Sequence, residues 1–172
     1  MKRKLLLLGT LLMLLSGCAG NKAGVDNPYE IAKGKSTVSY YDAGDSIELD
    51  GFEILERESE NVIGLLSRDS SCIIVRDEQV RCIYIVDEDV VTYNQIAVGD
   101  GVDKLESTYD NIEPFQLSKT ASSYITAFDD GVQVDPDSED MEEDWIRIIY
   151  YVEDSRITAI QICDTRFAVT MQ

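Results

Sequence analysis

The side chains able to do chemistry in this 172-residue chain are four cysteines, 33 Asp and Glu residues and nine tyrosines; histidine is absent. Cys18, Cys72, Cys82 and Cys163 offer thiolates that could be alkylated, exchange disulfides or bind a soft metal. Without histidine there is no Ser-His-Asp or Cys-His catalysis, no His-ligated zinc and no imidazole base. Carboxylates could replace it as a general acid–base pair. That chemistry needs two of them across a groove, about 5–9 Å apart, and no spacing in the sequence singles out such a pair. No catalytic residue and no cofactor are therefore assigned. A carboxylate-dependent hydrolase of envelope polymer is the secondary expectation, and a non-catalytic binding module the main one.

The densest run of carboxylates spans 129–144, with nine Asp and Glu and no Lys or Arg. Asp135, Asp137, Glu139 and Asp140 are its candidate metal ligands, since calcium takes six to eight oxygens. The spacing is not that of an EF-hand loop, because the internal Gly and closing Glu are out of place. The main expectation is a solvated acidic insertion between strands. If it does bind calcium, the affinity expected is weak, with a dissociation constant of about 10⁻⁴–10⁻³ M.

Cys18 has a particular setting. Lys2, Arg3 and Lys4 precede an apolar run from Leu5 to Leu15, broken only by Gly9 and Thr10. A bilayer-spanning helix needs about 20 apolar residues; eleven behind a basic flank fit a secretory signal instead. Leu15-Ser16-Gly17-Cys18 resembles the bacterial lipobox. The resemblance implies cleavage between Gly17 and Cys18 and a diacylglyceryl group on the Cys18 thiol. Two or more acyl chains anchor stably where one does not. The expected location is the extracytoplasmic face of a cell membrane, with lipid on Cys18 as the membrane contact.

The precursor carries a net charge of −18; removal of Lys2, Arg3 and Lys4 with the signal leaves −21. Such a surface repels phosphate backbones, so nucleic acid is excluded as a partner. An apolar share of 44% is enough for a core and argues against a disordered acidic chain. The composition divides the chain into a signal at 1–17, a Gly- and Asn-rich tether at 18–36 and a folded part from about Thr37. Within it, a β-rich unit at 37–90 precedes a second unit at 91–172, together one compact body.

Two hairpins dominate these units. Residues 72–76 and 79–86 flank Asp77-Glu78, and residues 145–153 and 156–163 flank Asp154-Ser155; both arms are rich in β-branched and aromatic residues. Neither turn contains glycine, so a two-residue turn there would need non-glycine residues at positive φ. An offset of 77 aligns the hairpins without a gap: Val75 on Val152, Asp77 on Asp154, Val80 on Ile157, Ile83 on Ile160, Ile85 on Ile162. The pattern reads as a degenerate internal duplication. Between them, Asp100 as N-cap, Asp103 in the first turn and Val102, Leu105 and Tyr109 at helical spacing predict a short amphipathic helix over about 100–109. Residues 47–54 are compatible with strands, and 56–66 with a second helix.

The stretch Ile96-Ala97-Val98-Gly99-Asp100 through Val102, Leu105 and Tyr109, followed by the 149–162 hairpin, resembles modules similar to the β-lactamase inhibitory protein. It also resembles the small lipoprotein of outer-membrane β-barrel assembly. The resemblance covers about residues 93–164. Asp110 stands where these modules have glycine, and the first unit lacks an obvious Gly-Asp helix start. It implies an α+β fold of antiparallel sheet built from two related hairpin units, with one or two short helices on one face. It also implies a sheet that meets a protein partner and no catalysis.

Cys72, Cys82 and Cys163 sit inside apolar strand runs and are expected as buried thiols. With a two-residue turn at Asp77-Glu78, simple counting puts Cys72 opposite Ile83 and Cys82 opposite Ile73, on opposite faces of the sheet. A three-residue loop would instead put both cysteines on one face. In Tyr40-Tyr41 and Tyr150-Tyr151, one ring of each pair should enter the core and the other face outward.

Overall fold

The computed structural model describes residues 27–56, 69–110, 112–138 and 144–164. The signal, Gly17 and Cys18 lie outside these residues, as do Glu139 and Asp140 and all of the possible second helix at 56–66 except Glu56, which ends a strand. Among the described residues no helix is long and apolar enough to cross a membrane.

The folded chain starts earlier than the composition suggests. Strands β1 (Glu30–Lys33) and β2 (Ser36–Ser39) form a hairpin through Gly34, at φ 64°, and β6 (Val90–Thr92) pairs with β1. In this three-stranded sheet Ile31 and Val38 are buried. Tyr29 stacks edge-on to Tyr41 and Phe128, and its hydroxyl accepts the Gly131 N–H at 2.6 Å. The expected tether boundary at 36 is therefore corrected: residues 30–36 belong to the fold. A Gly- and Lys-rich composition hid one strand whose partner, β6, lies some sixty residues away in sequence.

The larger sheet contains β3 (Glu53–Glu56), β4 (Cys72–Arg76), β5 (Gln79–Ile85), β7 (Glu113–Gln116), β8 (Ala121–Asp129), β9 (Val132–Val134), β10 (Ile146–Glu153) and β11 (Arg156–Asp164). Its order is β3-β4-β5-β11-β10-β8-β7, with β9 also on β8. The neighbours are antiparallel except β3 and β4, which run parallel. The sheet is thus mixed, whereas an antiparallel one was expected. The connection from Glu56 to Cys72 is long enough for the crossover that a parallel pair requires. Together with α1 (Val102–Thr108), the one α-helix among the described residues, the architecture is α+β with strand predominating. The acidic stretch is not all loop: it begins as the β8–β9 hairpin, turning at Asp130 and Gly131, both at positive φ.

Both central hairpins close through two-residue turns whose residues all lie in the left-handed region: Asp77 and Glu78 at φ 51° and 62°, Asp154 and Ser155 at 49° and 64°. This geometry matches strand twist, and here it is reached without glycine. Each hairpin then carries a bulge at the same place. In β4–β5, Val75 pairs with Val80 but Ile74 with Cys82, leaving Arg81 extra; in β10–β11, Val152 pairs with Ile157 but Tyr151 with Ala159, leaving Thr158 extra. The hairpins lie side by side through β5 and β11, where Ile85 faces Ile160, Tyr84 faces Gln161 and Ile83 faces Ile162.

The bulge corrects the expected placement of the cysteines. Cys72 now faces Tyr84 rather than Ile83, and Cys72, Ile74, Cys82 and Tyr84 share one buried cluster with Ile149, Ala159 and Cys163. One extra residue reverses the faces beyond it, so a two-residue turn coexists with both cysteines on one side. All three are buried thiols, as expected.

The opposite face holds the main core, shared by Ile73, Val80, Ile83, Ile148 and Ile160 of the large sheet with Ile31, Val38 and Val90 of the small one. Helix α1 packs here: Leu105 and Tyr109 are buried and Val102 is half-buried against the core. Its start is tied to the second turn, with Val102 N–H donating to Ser155 O at 3.1 Å. The N-cap is Gly101, not Asp100. The Asp100 carboxylate is already engaged by Ala97 N–H at 2.8 Å and Lys104 Nζ at 2.6 Å, so it closes the loop before the helix.

Candidate functional site

A concavity lies beside the first turn. It has a volume of about 550 Å³, and Asp45, Glu56, Asp77 and Glu78 stand on its wall with Tyr41, Ile54 and Val75. Tyr41 and Ile54 are large exposed apolar side chains, 48% and 41% accessible. Val75 is nearly buried and abuts Gly44, where an added Cβ would overlap a Val75 methyl. Among the described residues no lysine or arginine lines it. Arg76 pairs with the Asp77 carboxylate at 3.6 Å; apolar anchors beside the further carboxylates of Asp45, Glu56 and Glu78 form the kind of surface that takes a cationic side chain and its aliphatic stem.

Tyr41 is set there by backbone geometry, at φ 86°, and its ring lies edge-on to Tyr40 at 4.5 Å between centroids. Burial, then the charge of Asp144, pushes the Tyr41 phenol above its usual range. Tyr40 is buried and donates from its hydroxyl to Asp164 Oδ2 at 3.0 Å. Its phenol is pushed up mainly by burial, then by the Asp164 charge. In the second pair Tyr150 is buried and Tyr151 half-buried, donating to Gln161 Oε1 at 3.0 Å. Tyr41 is exposed and reaches the cavity, though from a turn and not a strand, whereas Tyr151 does not face outward as expected but packs half-buried against the Cys72, Cys82 and Cys163 cluster.

Of the candidate metal ligands, Asp135 and Asp137 are described and both are exposed. Asp135 Oδ1 accepts the Asp137 N–H at 3.0 Å, an Asx turn that satisfies the local backbone. Among the described residues no three His, Cys, Asp or Glu side chains converge as a metal site.

A row of side chains crosses the sheet on its smaller-core face: Cys82 on β5, Cys163 on β11 and Arg147 on β10 are successive register partners. Hydrogen bonding to Cys163, then burial, pushes the Cys82 thiol well up. Burial lowers Arg147, and the neighbouring Cys163 and Asp137 oppose that. Sequence reasoning missed both this row and the cavity. Cys82 and Cys163 are far apart in sequence, and nothing local marks them as partners. The cavity depends on a tyrosine at positive φ, a conformation that sequence assigns to glycine first.

No protein-family model, curated protein or solved structure matches the chain.

Proposed function

We propose that this chain is an exported bacterial lipoprotein, cut before Cys18 and held by lipid on that cysteine at the extracytoplasmic face of a cell membrane. Its folded part is a non-catalytic module that binds a protein or other envelope partner. The observation that carries the reading is the ordered series Lys2-Arg3-Lys4, the short apolar run and Leu15-Ser16-Gly17-Cys18. A mature charge of −21 keeps the module soluble and off an anionic bilayer. The acidic cavity with Tyr41 and Ile54 at its wall suits a basic segment of the partner.

We further infer that the module arose by duplication, and the hydrogen bonds support this beyond the hairpins. Val80 N–H donates to Asp42 O at 2.9 Å and Ile157 N–H to Asp100 O at 2.9 Å; Gly44 N–H donates to Glu78 O at 2.8 Å and Val102 N–H to Ser155 O at 3.1 Å. The Asp42 carboxylate accepts Ser39 N–H at 2.7 Å, as that of Asp100 accepts Ala97 N–H at 2.8 Å. Tyr41, at φ 86°, stands where the second unit has Gly99, at 90°. The 3₁₀ turn at Gly44–Ser46 then corresponds to the start of α1. The Gly-Asp start missing from the first unit's sequence is thus matched by Tyr41-Asp42. Ile85 pairs with Ile160 and Ile83 with Ile162, so the units meet through the same strand edge, as copies related by a two-fold axis do.

The test of the anchor is Cys18→Ala expressed in a bacterial host, followed by membrane fractionation after salt and carbonate washes. The native chain should stay with membranes and the variant should be shed or remain uncleaved. Equal membrane retention after the washes, with the variant shown to be cleaved, would overturn the lipid anchor.

A further inference from the structure

Cys82 and Cys163 are directly opposed on the antiparallel strands β5 and β11. Residues so placed have Cα atoms about 4.5–5.5 Å apart, within the window of about 4.4–6.8 Å that a disulfide spans. Cys72 lies on the same face but opposite Tyr84, while Cys82 lies opposite Ile74. Cys72 and Cys82 are thus diagonal neighbours on their hairpin, with a separation of about 7–8 Å between Cα atoms, beyond easy bridging. The β5–β11 register puts Cys82 opposite Cys163, and the Arg81 bulge in the β4–β5 pairing puts Cys72 on the same face but offset from Cys82. In the duplicated hairpin Cys82 corresponds to Ala159, and Cys163 corresponds to Val86, so the thiol pair occurs once.

We propose that Cys82 and Cys163 are a disulfide-forming site that joins the two units across the β5–β11 seam, with Cys72 remaining a thiol. The oxidant is a small-molecule or protein disulfide. A thiolate of the pair attacks one sulfur of that disulfide, giving a mixed disulfide and releasing one thiolate. The second cysteine, as thiolate, then attacks the chain's own sulfur in the mixed disulfide, forming the intramolecular bond and releasing the second thiolate. The two cysteines lose two protons and two electrons, and the oxidant gains them. Arg147 faces Cys163 from β10, which places a cation beside the thiolate that the exchange needs. Both thiols are fully buried in the folded chain, so the first step belongs to the folding chain and the second to the moment β5 and β11 pair. The oxidising setting rests on the export reading; the pairing geometry does not.

The test refolds the full chain, purified in detergent, from the reduced unfolded state in a mixture of reduced and oxidised glutathione, beside a reducing control. Remaining thiols are alkylated under denaturing conditions and the peptides mapped by mass spectrometry. The expected result is a loss of two hydrogens mapped to Cys82–Cys163, with Cys72 alkylated. The urea midpoint should also rise over the reduced control, because the bond closes a loop of about eighty residues in the unfolded chain. Full alkylation of Cys82 and Cys163 after oxidative refolding to the native circular dichroism spectrum would overturn the proposal, as would a link that includes Cys72. Because the native sequence is used, no outcome depends on a variant's ability to fold. Membrane retention is measured separately, so failure of the anchor and failure of the disulfide are distinguishable.

Discussion

Tyr109 at the end of α1 and Tyr150 in the middle of β10 bring their hydroxyls to 2.6 Å, both buried. The pair fastens the helix to the hairpin within an apolar core, where an unmade hydrogen bond is costly. Tyr109→Phe and Tyr150→Phe should each lower unfolding stability by about 1–2 kcal/mol. The double variant should cost less than the sum of the two, because the second substitution removes a partner already lost. Urea titrations of the four proteins measure this; strict additivity would mean that the hydroxyls contribute separately.

At the scale of elements, the hairpin turns carry the clearest local strain. Asp77, Glu78, Asp154 and Ser155 all sit at positive φ, which costs a non-glycine residue about 1–2 kcal/mol. Turns of this geometry favour glycine at the second position. Glu78→Gly and Ser155→Gly should therefore each stabilise the fold. The net gain should be about 0.5–1 kcal/mol, after allowing for glycine's larger entropy loss on folding. A shift of the thermal or urea midpoint reads this directly. A lower midpoint would mean that the native side chains make contacts worth more than the strain they carry. Similar gains at the two sites would also agree with two copies of one hairpin.

For the whole molecule, the buried phenols set a limit at alkaline pH. Burial is the first cause that raises Tyr40, Tyr109, Tyr150 and Tyr151. An unfolded tyrosine titrates near pH 10. Above that pH the unfolded chain releases these protons while the folded chain retains them, so stability falls as pH rises. Below about pH 10 both states hold the protons and the contribution is complete. Urea midpoints should thus show no tyrosine-linked change up to about pH 10 and a decline above it, with tyrosinate absorbance appearing together with unfolding. A tyrosinate absorbance amplitude that corresponds to all nine tyrosines, reached while the fold stays intact, would contradict the burial of these rings.

What the sequence determined by itself is what short-range physics encodes. The β-branched arms around Asp77-Glu78 and Asp154-Ser155 specified two hairpins, and the 102-105-109 spacing specified a helix with Leu105 and Tyr109 inward. The 77-residue correspondence between the hairpins was also legible, as was the linear pattern ending at Cys18. The tertiary structure decided what depends on distant partners. Ile31 is core only because β6 comes back to pair with β1, so a segment with the composition of a tether is a strand. Arg81 and Thr158 become bulges because the turn at one end and the apolar face at the other demand registers one residue apart. Nothing in Arg81 itself signals this, yet it brings Cys82 onto the same face as Cys72, while the β5–β11 register sets Cys82 opposite Cys163. A strand's alternation tells which residues share a side only until the first bulge. Beyond it, the side is chosen by the burial of Ile83 and Ile85 in a core that both sheets build together.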